Sequence, residues 1–112
     1  MQITEDRIGD VLVVDVKGRL DSATSPAFET FLLKKIDGGD TRVVLDLAAL
    51  EYVSSAGLRV FMMAARRLKV VQGRVAVCAL QPSVQEVFEI SGFTSLFAAF
   101  ADRHAAAASV SA

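Results

Sequence analysis

Residues 42–71 read RVVLDLAALEYVSSAGLRVFMMAARRLKVV, and this stretch sets the organisation of the chain. Arg42 to Leu47 is an apolar run that predicts a strand, and residues 48–53 predict a connection too short for more than one helical turn. Four small residues, Ser54 to Gly57, then precede a long apolar segment that predicts a helix. Because a helix N-terminus presents unbonded amides and the positive end of the helix dipole, the serine pair lies where a phosphate could bind or be attached.

The predicted helix has an uneven surface when its residues are placed at about 100° each. Arg59 and Arg66 lie opposite the predicted core face, but Met63 and Val70 lie between or beside them, and Met62 lies at the flank. These apolar residues are either ordinary surface scatter or a partner surface of methionines rimmed by arginine. The predicted core face consists of Gly57, Val60, Phe61, Ala64, Leu68 and Val71.

The residues before this stretch predict a hairpin and a first helix. Two β-prone runs, residues 3–8 and 11–17, flank Gly9-Asp10, and Gly9 is expected to take the positive φ of a type II′ turn. The chain is expected to leave the second strand at residues 18–21, where Asp21 is either a turn former that bonds its own backbone or part of a site. Ser25 is the predicted N-cap of a helix that starts at Pro26 and stops at residues 38–39.

The residues after the stretch predict further alternation of strands and helices. Residues 74–79 predict a strand with a buried Cys78, Pro82 starts a helix that Gly92 ends, and residues 96–100 predict a short edge strand. Asp102 is expected to cap a last helix to about residue 108, with residues 109–112 frayed. This order predicts one α/β domain over residues 1–112 with a largely parallel sheet and an antiparallel opening hairpin.

Composition excludes several classes of function. The 112 residues carry a net charge of −1, with one cysteine and one histidine. We therefore expect no nucleic-acid partner, no disulfide, no metal site and no cofactor. No base stands near the serines in sequence, and the P-loop and nucleophile-elbow motifs are absent, so we expect no catalytic residues and no enzyme. The acidic start MQITEDRIGD and the lack of a long apolar run predict a cytoplasmic protein without membrane insertion.

The motifs together resemble a known family. The segments GRLDSATSPAFE, VVLDLAALEYVSSAGLRVF and SGFTSLF are similar to those of STAS domains, and the nearest likeness is to bacterial anti-sigma factor antagonists. The resemblance implies an α/β domain with a mixed four- to five-stranded sheet and about four helices, packed largely on one side. It also implies a protein, monomeric when free, that binds an anti-sigma factor with serine kinase activity and is switched off by phosphorylation. A PP2C-type phosphatase would reverse that modification.

The resemblance also assigns residues. It implies that Ser55 accepts the phosphate and that Asp21 lies beside it, whereas local chemistry alone favours a plain N-cap at the serine pair. Well-known members carry an aspartate before the acceptor and a hydroxyl residue after it, where this chain has Ser54 and Ala56, so Ser54 is a minor candidate acceptor. The role of a lipid- or anion-transporter subunit, or of part of a sensory complex, is the alternative. The expected partner-binding residues are Asp21, Ser54, Ser55, Ala56, Gly57, Arg59, Met62, Met63 and Arg66.

Overall fold

The computed structural model describes all residues from Met1 to Ala112. The chain forms six strands and four α-helices, together with one turn of 3₁₀-helix at residues 93–95. In chain order the elements are β1 (Gln2–Ile8), β2 (Val11–Leu20), α1 (Ser25–Asp37), β3 (Arg42–Asp46), β4 (Leu50–Val53), α2 (Ser55–Val70), β5 (Arg74–Cys78), α3 (Pro82–Ile90), β6 (Ala98–Phe100) and α4 (Arg103–Val110).

The sheet is mixed, as predicted, with one antiparallel pair at its edge. Strands β1 and β2 form the predicted hairpin, in which Ile8 faces Val11 and Gly9 has a φ of +60°. The remaining pairs are parallel, and the main sheet has the order β1-β2-β3-β5-β6. The α/β class is therefore confirmed, with six strands rather than four or five.

The additional strand, β4, corrects the prediction that residues 48–53 are only a connection. Strand β2 does not end at Lys17 but continues to Leu20, and its last residues pair in parallel with β4. The register shifts between Gly18 and Arg19, so the first part of β2 pairs with β3 and its last part with β4. Both terminal apolar residues of β4, Leu50 and Val53, are buried, which explains why this short segment stays on the sheet.

Three helices cover one face of the sheet. Their core is built on phenylalanines packed mostly edge to face, with ring centroids 5.7 Å apart for Phe28–Phe61 and 5.5 Å for Phe61–Phe88. Helix α2 contributes the predicted residues to this core, from Gly57 to Leu68, except that Val71 lies beyond the helix and is 46% exposed. The expectation that helices lie largely on one side of the sheet is confirmed.

The last helix, α4, packs alone on the opposite face. Asp102 caps it as predicted, its carboxylate accepting from the Ala105 amide at 2.9 Å. The predicted fraying after residue 108 is wrong, because Val110 is buried against the sheet and its carbonyl accepts from Arg42 Nη1 at 2.8 Å. Helix α1 begins one residue earlier than predicted, so Thr24 rather than Ser25 occupies its N-cap position.

Arg103, the first residue of α4, joins that helix to the sheet by ion pairs. Its Nε donates to Asp46 Oδ2 at 2.9 Å, its Nη2 donates to Asp15, and its Nη1 lies 3.4 Å from Asp6 Oδ2. The Asp46 side chain therefore points to the face of the sheet that α4 covers. Burial, together with the negative charge of Asp46, raises the pKa of Asp15, while the Arg103 charge opposes the rise.

Candidate functional site

The serine pair lies where β4 passes into α2. Ser54 has extended backbone angles and its amide donates to the Leu20 carbonyl at 2.8 Å, which ties the start of α2 to the end of β2. Its hydroxyl accepts from the Gly57 amide at 3.4 Å, a long capping bond. The N-cap interpretation therefore describes Ser54, which is half-buried.

Ser55 is in a different environment from its neighbour. It is the first residue of α2, it is exposed, and its hydroxyl makes no hydrogen bond within the chain. The first amides of a helix have no intrahelical acceptors, so negative charge at this position is favoured by the local dipoles. Of the two hydroxyls, that of Ser55 is thus the one accessible to another protein.

Gly57 allows α2 to approach the strand ends closely. A Cβ atom at this position would lie 2.8 Å from both Leu20 Cγ and Val53 Cγ2, closer than real Cβ atoms come to such neighbours. Leu20 and Val53 are register partners in β2 and β4, so the lack of a side chain at Gly57 lets the first turn of α2 pack directly against both strands. Gly57 is buried, so it shapes the site without presenting a surface to a partner.

Asp21 follows directly on Leu20, beside the serine pair. One carboxylate oxygen accepts from the Ala23 amide at 3.0 Å and from the Thr24 amide at 3.1 Å. These bonds, led by those from Thr24, lower the pKa of Asp21 and keep it ionised at neutral pH. The geometry is that of a turn aspartate that also places one negative charge next to the mouth of α2.

A small depression of about 240 Å³ separates the first turns of α1 and α2. Ala56 and Arg59 line it from α2, and Ser25 and Glu29 line it from α1. The Ser25 side chain is buried and its hydroxyl has no hydrogen-bond partner. Asp21, Ser54, Ser55, Ala56, Gly57 and Arg59 thus belong to one end of the molecule, with this depression among them.

The other predicted partner residues lie farther along α2. Met62 and Met63 are half-buried and pack against the main core, which corrects the prediction that they are apolar residues on the outer surface of the helix. Arg66 and Met62 border a groove near the other end of the helix. Ser55, Arg59, Met62 and Arg66 follow one another at helical spacing along α2, so these predicted partner residues share one side of the helix between Ser55 and the groove.

Sequence reasoning missed an exposed pair next to the site. Arg19 lies over the ring of Tyr52, with the guanidinium carbon 4.3 Å from the ring centroid. The two residues are register partners in β2 and β4, and Tyr52 is 41% exposed. The signal available in the sequence is the β-prone pair Tyr52 and Val53, within a segment that the sequence predicts to be a connection.

The structure offers little for catalysis or metal binding. No group of three or more His, Cys, Asp or Glu side chains is arranged to hold a metal ion. His104, the one histidine, is exposed on α4. Cys78 is buried in the sheet, and burial raises the pKa of its thiol to about 12, far from a reactive thiolate. None of the helices combines the length and the apolar character that a membrane crossing requires.

Comparison with known proteins identifies the family. The family model of the STAS domain matches residues 2–107. The chain belongs to the STAS domain family. A relative from Bordetella bronchiseptica, BtrV, is 47% identical over 108 residues, which are 96% of this chain and 93% of BtrV. BtrV is named as a candidate anti-sigma factor antagonist, so the sequence likeness extends to a regulatory class of protein rather than an enzyme.

Solved structures agree on the fold. A candidate anti-sigma factor antagonist from Thermotoga maritima superposes with a TM-score of 0.92 at 16% identity, covering 96% of this chain and 93% of that one. The anti-sigma factor antagonist SpoIIAA in its unphosphorylated form gives a TM-score of 0.80 at 21% identity, covering 93% and 92% of the two chains. A structure of SpoIIAA from Bacillus in its phosphorylated form gives 0.74 at 20% identity, covering 93% and 96%. The predicted STAS fold is confirmed.

Proposed function

We propose that this protein is an anti-sigma factor antagonist that binds an anti-sigma factor with serine kinase activity and loses that binding when Ser55 is phosphorylated. The observation that carries the proposal is the exposed, unbonded hydroxyl of Ser55 at the first position of α2. The 47% identity to BtrV supports the antagonist role. The existence of a phosphorylated form of SpoIIAA, which shares the fold, supports the mode of regulation.

A phosphate on Ser55 would change binding without unfolding the domain. It adds a charge of roughly −1.5 to −2 at a helix N-terminus, where negative charge contributes about 0.3–1 kcal/mol of stabilisation. The ionised Asp21 nearby would add to the negative field that a partner meets. A partner surface that places carboxylates or apolar groups against Ser55 would be repelled, while the core beneath Gly57 stays intact.

Ser54 is the less suitable acceptor. Its hydroxyl caps α2 and the residue is half-buried, so a phosphate there would replace the capping bond to Gly57. The residue before the acceptor is thus a capping serine rather than the aspartate of well-known members. A PP2C-type phosphatase would restore the unmodified Ser55 and with it the binding of the anti-sigma factor.

The test uses a candidate partner, an anti-sigma factor with a serine kinase domain, sought in the genome that encodes this chain. Incubation with that kinase and ATP, followed by peptide mapping by mass spectrometry, is expected to place phosphate on Ser55. Ser55→Asp should fold normally and lose kinase binding, whereas Ser55→Ala should bind and accept no phosphate. Ser83→Asp is the matched control, because Ser83 lies in the first turn of α3, is exposed, and gains the same charge.

Two results would contradict the proposal. Phosphate found on a residue other than Ser55 or Ser54 would remove the site assignment. Binding of Ser55→Asp with wild-type affinity would remove the electrostatic switch, even if the antagonist role stands. Co-purification with a transporter or a sensory complex, and with no kinase, would favour the alternative role that the family also allows.

A further inference from the structure

A second feature lies at the opposite end of α2 from Ser55 and shares only Met62 and Arg66 with the predicted partner-binding residues. It is a groove of about 820 Å³ between the end of α2, the 3₁₀ turn, the start of β5 and β6, and the end of α4. Its apolar lining includes Leu68, Val75 and Leu96. Leu96 is 48% exposed although it is a large apolar side chain, so this surface lacks a cover within the chain.

The polar lining of the groove is positively charged. Arg66, Lys69 and Arg74 line it, and no acidic residue does. None of the three makes an ion pair, whereas the neighbouring Arg67 is paired with Asp37. Between Glu51 and Glu86 the sequence contains five cationic residues and no acidic one, although the whole chain has a net charge of −1. No ion pair within the chain therefore neutralises the three cations of the groove.

We propose that this groove binds a single-chain aliphatic carboxylate, a ligand of the fatty-acid class. The volume lies within the roughly 300–1,000 Å³ typical of small-molecule sites, and apolar lining with a few convergent cations suits an apolar chain with an anionic head.

The proposed contacts divide the ligand into two parts. The aliphatic chain lies on Leu68, Val75 and Leu96, and the carboxylate meets Arg66, Lys69 or Arg74. Each methylene added to the aliphatic chain of the ligand should tighten binding by up to roughly fourfold, until the groove is filled. Because the head-group contacts are exposed cations, affinity should fall as ionic strength rises.

The test is a titration of the ¹⁵N-labelled full chain with dodecanoate below its micelle concentration, followed by NMR. Saturable shifts are expected at Val75, Leu96 and other groove residues. The double variant Arg66→Gln/Arg74→Gln should weaken binding by at least about tenfold, the effect of losing roughly 1.4 kcal/mol. Arg67→Gln is the matched control, since Arg67 is on the same helix but outside the groove, and it should leave the affinity unchanged.

Three further arms can overturn the proposal. Dodecyltrimethylammonium that binds as tightly as dodecanoate would show that the cations play no part. Shifts spread over the whole domain, or none up to the solubility limit, would show that the groove is not a site. Binding to phosphatidylglycerol vesicles, or to an acidic peptide, without binding of free dodecanoate would assign the surface to a membrane or a protein instead. Ser55→Asp, which tests the function proposed above, should bind dodecanoate like wild type.

Discussion

Replacement of Arg103 by methionine should destabilise the domain in a pH-dependent way. Asp15 and Asp46 are register partners on adjacent strands, and Arg103 is the cation that both of them contact. The Asp46 side chain is only 10% exposed, the Arg103 side chain 26% and the Asp15 side chain 34%. In Arg103→Met the two carboxylates would face each other without a counter-charge, while much of the packing of the arginine stem is kept.

The magnitude follows from the burial of the group. Breaking a fully buried ion pair costs about 3–5 kcal/mol, whereas an exposed pair contributes about 0–1 kcal/mol. The partly exposed cluster at Arg103 lies between these limits, so we expect a loss of about 2–3 kcal/mol in the free energy of unfolding at neutral pH. Arg67→Met is the control, because Arg67 and Asp37 are each about half exposed, and it should cost less than about 1 kcal/mol.

The pH dependence identifies the cause. The native pKa of Asp15 is already raised, and loss of Arg103 removes the positive charge that opposes the rise. A carboxyl with a raised native pKa binds its proton more tightly in the folded state, so stability increases as the pH falls through that pKa toward the unfolded value. The deficit of Arg103→Met should therefore shrink on acidification, by up to about 1.4 kcal/mol for each unit of additional pKa rise.

The measurement is urea unfolding, followed by far-UV circular dichroism, at neutral pH and near pH 5. A deficit that stays the same at both values would mean that the lost packing of the arginine stem, not the carboxylate pair, causes the destabilisation. A deficit no larger than that of Arg67→Met would mean that the cluster contributes nothing beyond an exposed ion pair. Either result would refute the electrostatic reasoning.

Two further predictions concern the site and the sheet. Gly57→Ala should lower the free energy of unfolding, measured in urea, by about 1 kcal/mol, because an overpacking cost of about 1–3 kcal/mol against Leu20 and Val53 exceeds the gain in helix propensity. The double variant Gly57→Ala/Val53→Ala should lose less stability than the sum of the two single variants. A Gly57→Ala variant more stable than wild type would contradict the close packing. Between pH 9.0 and about 12 the Cys78 thiol ionises in the unfolded chain but not in the folded one, which favours unfolding of the wild type. Cys78→Ala lacks this thiol and should therefore lose less stability than the wild type over that pH interval. The difference should reach about 2 kcal/mol midway through that interval, and identical alkaline unfolding curves would contradict it.

The parts of the fold that local signals encode could be predicted from the sequence. Gly9 specifies the hairpin turn, Pro82 and Gly92 bound α3, and Asp102 caps α4, because each acts through the backbone within a few residues of itself. Strand β4 could not be predicted in this way. It has only four residues, and it is a strand because β2 continues to Leu20 and offers a parallel partner about 30 residues away in the chain.

The site divides along the same line. The small residues Ser54 to Gly57 form a local pattern that predicts the start of α2. That pattern does not show which of the two serine hydroxyls is free, and it does not predict the Arg19–Tyr52 pair. Asp46 interrupts an apolar strand, yet nothing in the sequence indicates its partner Arg103, which is 57 residues away in the chain and starts the helix on the other face of the sheet. Ion pairs of this kind depend on which elements become neighbours, and residue spacing carries no information on that.

Helix α2 separates the two proposed sites in a way that bears on how the protein could be regulated. Ser55 and Lys69 are at opposite ends of the helix, and at about 1.5 Å per residue they are roughly 20 Å apart. The Debye length in physiological salt is about 8 Å, so the charge of a phosphate on Ser55 is largely screened at the exposed cations of the groove. Because α2 is a single unbroken helix on a packed core, Ser55 modification would leave the groove unchanged, and the two ends would respond to different ligands independently.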